Sequence, residues 1–127
     1  MDKPTQRKPK LYFDTAPSPS HVTFDDSIEV CRNIPWVNYV EARREHSKLD
    51  TIEMEIGNWL VVIIGHNLLP LYQAIANHTL TWITAHPEFK RDREREIDSF
   101  ATEIRFLNPP ARNLAKRRGQ IEFDLGG

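Results

Sequence analysis

One cysteine, five glycines and no uninterrupted apolar run longer than six residues are the first constraints set by this 127-residue sequence. A lone Cys31 excludes an intramolecular disulfide framework, and it reads as a small buried filler, the commonest place for a free thiol. The longest apolar run, Trp59 to Ile64, falls far short of the roughly 20 residues that a membrane-spanning helix requires. No apolar signal-like segment opens the chain, so the expected setting is soluble, reducing and cytoplasmic, away from any membrane.

The common catalytic signatures are missing too. There is no GxGxxG, Walker A, GxSxG or CxxC pattern. The histidines His21, His46, His66, His78 and His86 stand at no short ligand spacing. His66 and His78, twelve residues apart, would be separated by about 18 Å along a helix axis. No metal and no cofactor are expected, and a non-enzymatic role is the simpler reading. No repeat emerges at a solenoid period.

What is present is sorted along the chain. Residues 1–12 carry a formal charge of +3 and residues 108–127 one of +2, which leaves -6 for the middle. Six of the nine prolines lie in the first or last twenty residues. With a hydrophobic content of 39%, this distribution predicts a flexible Pro-rich basic arm over residues 1–20 and a single domain over 21–108. A flexible basic tail over 109–127 completes the chain.

The densest apolar pattern runs through residues 49–78. Ile52, Met54 and Ile56 alternate with Thr51, Glu53 and Glu55, the period of two of a strand with one wet face. Gly57-Asn58 supplies the positive φ that a two-residue type II′ turn needs at its first position. Trp59 to Ile64 is apolar on both faces and should be a central strand. Leu68, Leu71, Tyr72 and Ile75 then recur at helical spacing, predicting an amphipathic helix over about 67–78 capped by Asn67.

Elsewhere, residues 21–25 and 28–32 read as a hairpin around Asp25-Asp26-Ser27, with Asn33-Ile34-Pro35 as an interruption. Residues 36–44, 80–85 and 100–107 read as further strands. Residues 88–98 hold nine charges in eleven positions and read as a solvated segment. The sum is an α+β domain: one antiparallel sheet of five to seven strands with the main helix packed on one face. Because residues 59–64 ask for cover on both sides, the second face calls for a curled sheet or a second copy in a homodimer.

Three functional classes follow. The first is a non-catalytic protein-interaction or regulatory module whose tails reach a partner. Gln120, Ile121 and Phe123 belong to an alternating apolar segment, 120–125, suited to adding a strand to a sheet edge of its own fold, its twin or a protein partner. Over those six residues it resembles the Gln-plus-apolar peptides that bind bacterial sliding clamps. The second class is a nucleic-acid-associated protein, with Lys116, Arg117 and Arg118 neutralising phosphates in a salt-sensitive way. The third is a small-molecule-binding protein or enzyme with a pocket between helix and sheet near His66, Tyr72 and Trp82.

Overall fold

The computed structural model describes residues 12–92 and 98–108. Eight strands form two four-stranded sheets rather than the single sheet of five to seven strands expected from the sequence. The first sheet has the order β1-β7-β2-β3, from Phe13–Thr15, Leu80–Thr84, His21–Asp25 and Cys31–Pro35. The second has the order β4-β5-β6-β8, from Tyr39–Arg43, Thr51–Ile56, Trp59–His66 and Phe100–Leu107. Pairing is antiparallel except between β2 and β7, which run parallel.

The reason for two sheets lies in how much surface must be covered. Helix α1, Leu69–Ala76, has eight residues and is about 12 Å long. Strand β6 also has eight residues but extends over about 26 Å. One helix therefore leaves much of the sheet bare. The first sheet supplies the remaining cover: Val22, Phe24, Ile34 and Ile83 share one core with Ile52, Met54, Ile56, Val61 and Ile63 of the second.

Helix α1 lies against β4 and β7. Leu68, Leu71 and Ile75 are fully buried, as their spacing predicts, and Tyr72 is half-buried. The helix is shorter than the expected 67–78 because Asn67 takes a left-handed φ of 50° and Leu68 is the residue at its N-terminal boundary. At the other end His78 adopts φ 57°. Its N–H donates to the Ile75 carbonyl, closing the last turn, and its ring stacks on Trp36 at 4.8 Å.

Strand β6 is central, with β5 on one side and β8 on the other. The β5–β6 turn has Gly57 at φ 63°, while Asn58 has no positive φ, the sign pattern of a type II′ turn. Val61 and Ile63 face the core. Leu60, Val62 and Ile64 form a half-buried stripe on the outer face, flanked by the ionic rows of β4, β5 and β8. Arg43 anchors one row through Glu53 at 2.8 Å, Glu41 at 2.6 Å and Glu55 at 3.6 Å. The stems of such side chains shield aliphatic neighbours while their charged ends stay wet.

Two local differences bear on the site. Residues 33–35 do not interrupt the second strand; they belong to it, since Ile34 pairs with Val22 and Pro35 with His21. Pro35 is tolerated because β3 is an edge strand and ends there. The break comes one residue later, in a 3₁₀ turn over Trp36–Asn38. Tyr12 and β1, placed in the arm by composition, pack into the fold: Tyr12 is buried against Phe89 of the one-turn helix α2, Phe89–Asp92, and against Phe100.

Candidate functional site

Alternation along β3 places Arg32 on the core-facing side. Ile34 and Arg32 share a phase, and Arg32 stands in register with the fully buried Phe24 of β2. Cys31 therefore takes the opposite phase and is exposed, not the buried filler that its residue type suggested. A charged side chain thus occupies a position at which the pattern asks for an apolar one.

The surroundings of that arginine are aromatic. Its guanidinium carbon lies 3.9 Å from the Trp59 ring centroid and 5.1 Å from that of Phe106. Phe106 in turn meets Trp59 and Phe24 edge-on, each at 6.2 Å. The Nε of Arg32 is buried and has no hydrogen-bond partner, and the side chain forms no ion pair with any described residue.

The energetics of this placement nearly cancel. A desolvated cation–π contact contributes about 1–2 kcal/mol. An unsatisfied buried donor costs about 1–3 kcal/mol. Arg32 therefore adds little to the stability of the isolated fold.

A cleft of about 370 Å³ opens beside Arg32. Its walls are the 26–30 loop and the C-terminal half of β8, with Ile28, Val30, Ile104, Phe106 and Leu107 supplying apolar surface. Ile28 is 77% exposed and Leu107 45% exposed, large aliphatic groups left in water at the mouth. Asp26, Glu29 and Arg105 supply the other charges. Arg105 is held protonated by its 2.6 Å bond to Glu103. The strands bordering the cleft, β3 and β8, are both edges of their sheets.

The loop that presents Ile28 is tied by one side chain. Asp26 Oδ1 accepts the N–H groups of Ile28 at 2.8 Å, Glu29 at 2.9 Å and Val30 at 3.0 Å. Asp25 Oδ1 accepts that of Ser27, whose φ is 63°. Burial pushes the Asp26 carboxyl up, but the backbone donors of Ile28, Val30 and Glu29 and the charge of Arg32 outweigh it. The net result is a value below the usual 3.8.

A lowered folded-state value means that the carboxylate stabilises the fold at pH above its unfolded value, and that this stabilisation fades as pH falls through the folded value. Asp26→Ala is expected to cost about 1–2 kcal/mol at neutral pH. The gap from the natural chain should narrow below about pH 4. Urea unfolding at neutral and acidic pH checks both; a gap that is unchanged in acid would remove the carboxylate's role.

Of the site residues expected from the sequence, three lie among the described residues. His66 ends β6 and stacks on Phe100 at 5.4 Å. The Tyr72 hydroxyl donates a long 3.4 Å bond to the Ala42 carbonyl. Trp82 lies on β7 in register with Asp14 and Thr23. None of the three lines the Arg32 cleft. Lys116, Arg117, Arg118, Gln120, Ile121 and Phe123 lie outside the described residues.

A smaller indentation beside Arg43, lined by Glu45, Lys48, Thr51 and Glu53, has a volume of about 10 Å³, room for about one water. Among the described residues no three His, Cys, Asp or Glu side chains gather as a metal site would require, and no helix is long and apolar enough to cross a membrane.

Sequence reasoning missed Arg32 although a signal was present. Val30, Arg32 and Ile34 alternate as one face of a strand, and a charge in that phase marks a core-facing cation. Treating residues 33–35 as a break hid the phase. Comparison with family models, curated proteins and solved structures returns no match for the chain.

Proposed function

We propose that this chain is a non-catalytic binding module that takes an extended peptide of alternating apolar and acidic residues in the cleft beside Arg32. The observation that carries this reading is the buried Arg32 Nε, left without an acceptor against Trp59 at the side of an apolar cleft. Binding sites typically combine apolar walls with a few fixed polar groups. A guanidinium already laid on an aromatic face has lost much of its rotational freedom, so less entropy is lost when an acceptor arrives.

The edge strands favour a peptide over a compact metabolite. An extended chain entering between β3 and β8 satisfies unpaired backbone groups while alternate side chains fill the cleft. Ile28, Val30, Ile104 and Leu107 suit its apolar residues, and Arg32 suits a carboxylate or main-chain carbonyl oxygen.

The test uses a short synthetic peptide alternating valine and glutamate, with its valine–lysine counterpart as control. It is titrated into the natural chain and into an Arg32→Gln variant. The Arg32 Nε–H resonance should shift saturably with the glutamate peptide only. Arg32→Gln should weaken binding about tenfold, the worth of one charge-assisted hydrogen bond. Arg32→Lys should not restore it, because an ammonium lacks the planar face that lies on Trp59. Equal binding of the two peptides to the natural chain, or binding of neither, would overturn the reading.

A further inference from the structure

We infer that the free edge of β8 is a dimerisation surface, on which a second copy of this chain adds its own β8 antiparallel, across a twofold axis at Ile104. The inference stands on the strand edge and not on Arg32, so it goes beyond the peptide reading. Residues 103–107 pair regularly with residues 64–60 of β6 on one side. On the other, β8 pairs only through the isolated Ala85–Ala101 bridge among the described residues, and over 104–107 the cleft separates it from the 26–30 loop.

The other three sheet edges are each guarded against a second chain. Exposed edges invite pairing, and proteins blunt them by shortness, proline, inward-pointing charge, irregular register or a covering helix. β1 has three residues and a register shift at Asp14–Thr15. β3 ends in Pro35 and turns Arg32 inward onto Trp59. β4 shifts register between Tyr39 and Glu41, lies against α1, and has its Ala42 carbonyl taken by the Tyr72 hydroxyl. β8, with eight residues, carries none of these devices over 103–107. Its charges there are Glu103 and Arg105, one of each sign, so they do not repel a second copy.

Their order makes the strand complementary to itself. Antiparallel pairing centred on Ile104 sets Glu103 opposite the partner's Arg105, and Arg105 opposite the partner's Glu103. Both pairs fall on the outer face, where the two side chains of one strand already meet at 2.6 Å and stay partly exposed. On the core side Ile104 meets the partner's Ile104, and Phe106 meets the partner's Thr102, an aromatic and β-branched pair. Each of these is a favourable cross-strand combination. Centring the pair on Glu103 or on Arg105 instead sets like charges directly opposite, and a slip of one residue turns the charges of one copy against the apolar row of the other. The favoured register joins the two β4-β5-β6-β8 sheets into one of eight strands.

Sedimentation equilibrium of the full chain, from low micromolar to submillimolar concentration, should show a reversible monomer–dimer mass. So short a seam buries little surface and belongs to the weak class of interfaces. Arg105→Glu and Glu103→Arg each line the seam with four like charges and should raise the dissociation constant about tenfold or more. An equimolar mixture of the two variants should recover the mass of a dimer, because every charged cross-strand pair is then opposite in sign. That recovery also separates a lost interface from a lost fold. A monomeric mass at every concentration, single variants that dimerise as well as the natural chain, or a mixture that stays monomeric would each overturn the inference.

The peptide reading fails or stands separately. A monomeric chain whose Arg32 Nε–H signal still shifts with the valine–glutamate peptide loses only the dimer. A chain that dimerises, yet binds neither peptide when dilute enough to be monomeric, loses only the peptide site.

Discussion

Replacing Gly65 by alanine is expected to destabilise the fold by about 3 kcal/mol or more, at or beyond the upper end of the usual cost of overpacking. Gly65 sits at the register shift of the β6–β8 pair, where the two backbones approach closely. A Cβ there would run into the Phe100 carbonyl oxygen and come within 2.8 Å of the Ala101 Cα and 2.9 Å of the Phe100 carbonyl carbon. All three obstacles are backbone, so relief requires separating the strands and not merely turning a side chain. Net stabilities of domains are about 5–15 kcal/mol, and a loss of this size would take a large share.

Gly57 is the useful contrast. A Cβ at that position meets only Ile34 Cγ2, at 3.5 Å, but φ is 63°. Gly57→Ala should therefore cost only about 1–2 kcal/mol, the penalty of the left-handed region. Denaturant midpoints for the two variants check the ordering. A Gly65→Ala loss smaller than the Gly57→Ala loss would show that the β6–β8 contact yields easily.

Phe24→Ala should cost about 3–5 kcal/mol, the range for emptying a fully buried aromatic site. Phe24 is completely inaccessible and meets Phe106 edge-on, so its loss leaves a cavity between the two sheets. Because Phe106 also borders the Arg32 guanidinium, the variant should alter the cleft as well as the core. Peptide binding should weaken even at temperatures where the variant remains folded.

Ile28→Ala separates the two effects. With its side chain in solvent at the cleft mouth, the substitution should leave stability within about 0.5 kcal/mol, as is usual at exposed positions. It should still reduce peptide affinity. Calorimetric unfolding and peptide titration of the pair test this, and an Ile28→Ala variant as unstable as Phe24→Ala would contradict the exposed placement of the loop.

Much of the local structure was legible because it depends on neighbours in sequence. Residues 100–107 form a strand between a charged segment and Asn108-Pro109-Pro110, and β8 has those bounds. The Gly57-Asn58 turn was fixed by the one residue type that accepts positive φ without strain. Residues 31–35 were harder. Asn33 and Pro35 are poor strand formers, and their extended state comes from pairing with Thr23 and His21 of β2, with the Asn33 amide donating to the Thr23 hydroxyl at 2.8 Å.

The candidate site was less legible than the fold for the same reason. Arg32, Trp59 and Phe106 are far apart along the chain, and each has an ordinary explanation when read alone. Only their convergence at the edge between two sheets makes the arginine stand out, laid on Trp59 with an Nε that has no hydrogen-bond partner among the described residues. His66, Tyr72 and Trp82 were linked by their proximity to one helix in sequence; in the fold His66 stacks on Phe100, the Tyr72 hydroxyl bonds the Ala42 carbonyl, and Trp82 lies in the β1–β7–β2 strands.

By itself, the sequence determined which faces are apolar and where turns fall, because side-chain alternation and backbone φ are set residue by residue. Tertiary structure alone decided what those faces meet: a second sheet in place of one large one, a parallel β2–β7 pair, and an arginine laid on Trp59. A hydrophobic pattern specifies how much surface must leave water but not its partner, since apolar burial is nondirectional. The partner is selected only when the whole chain packs.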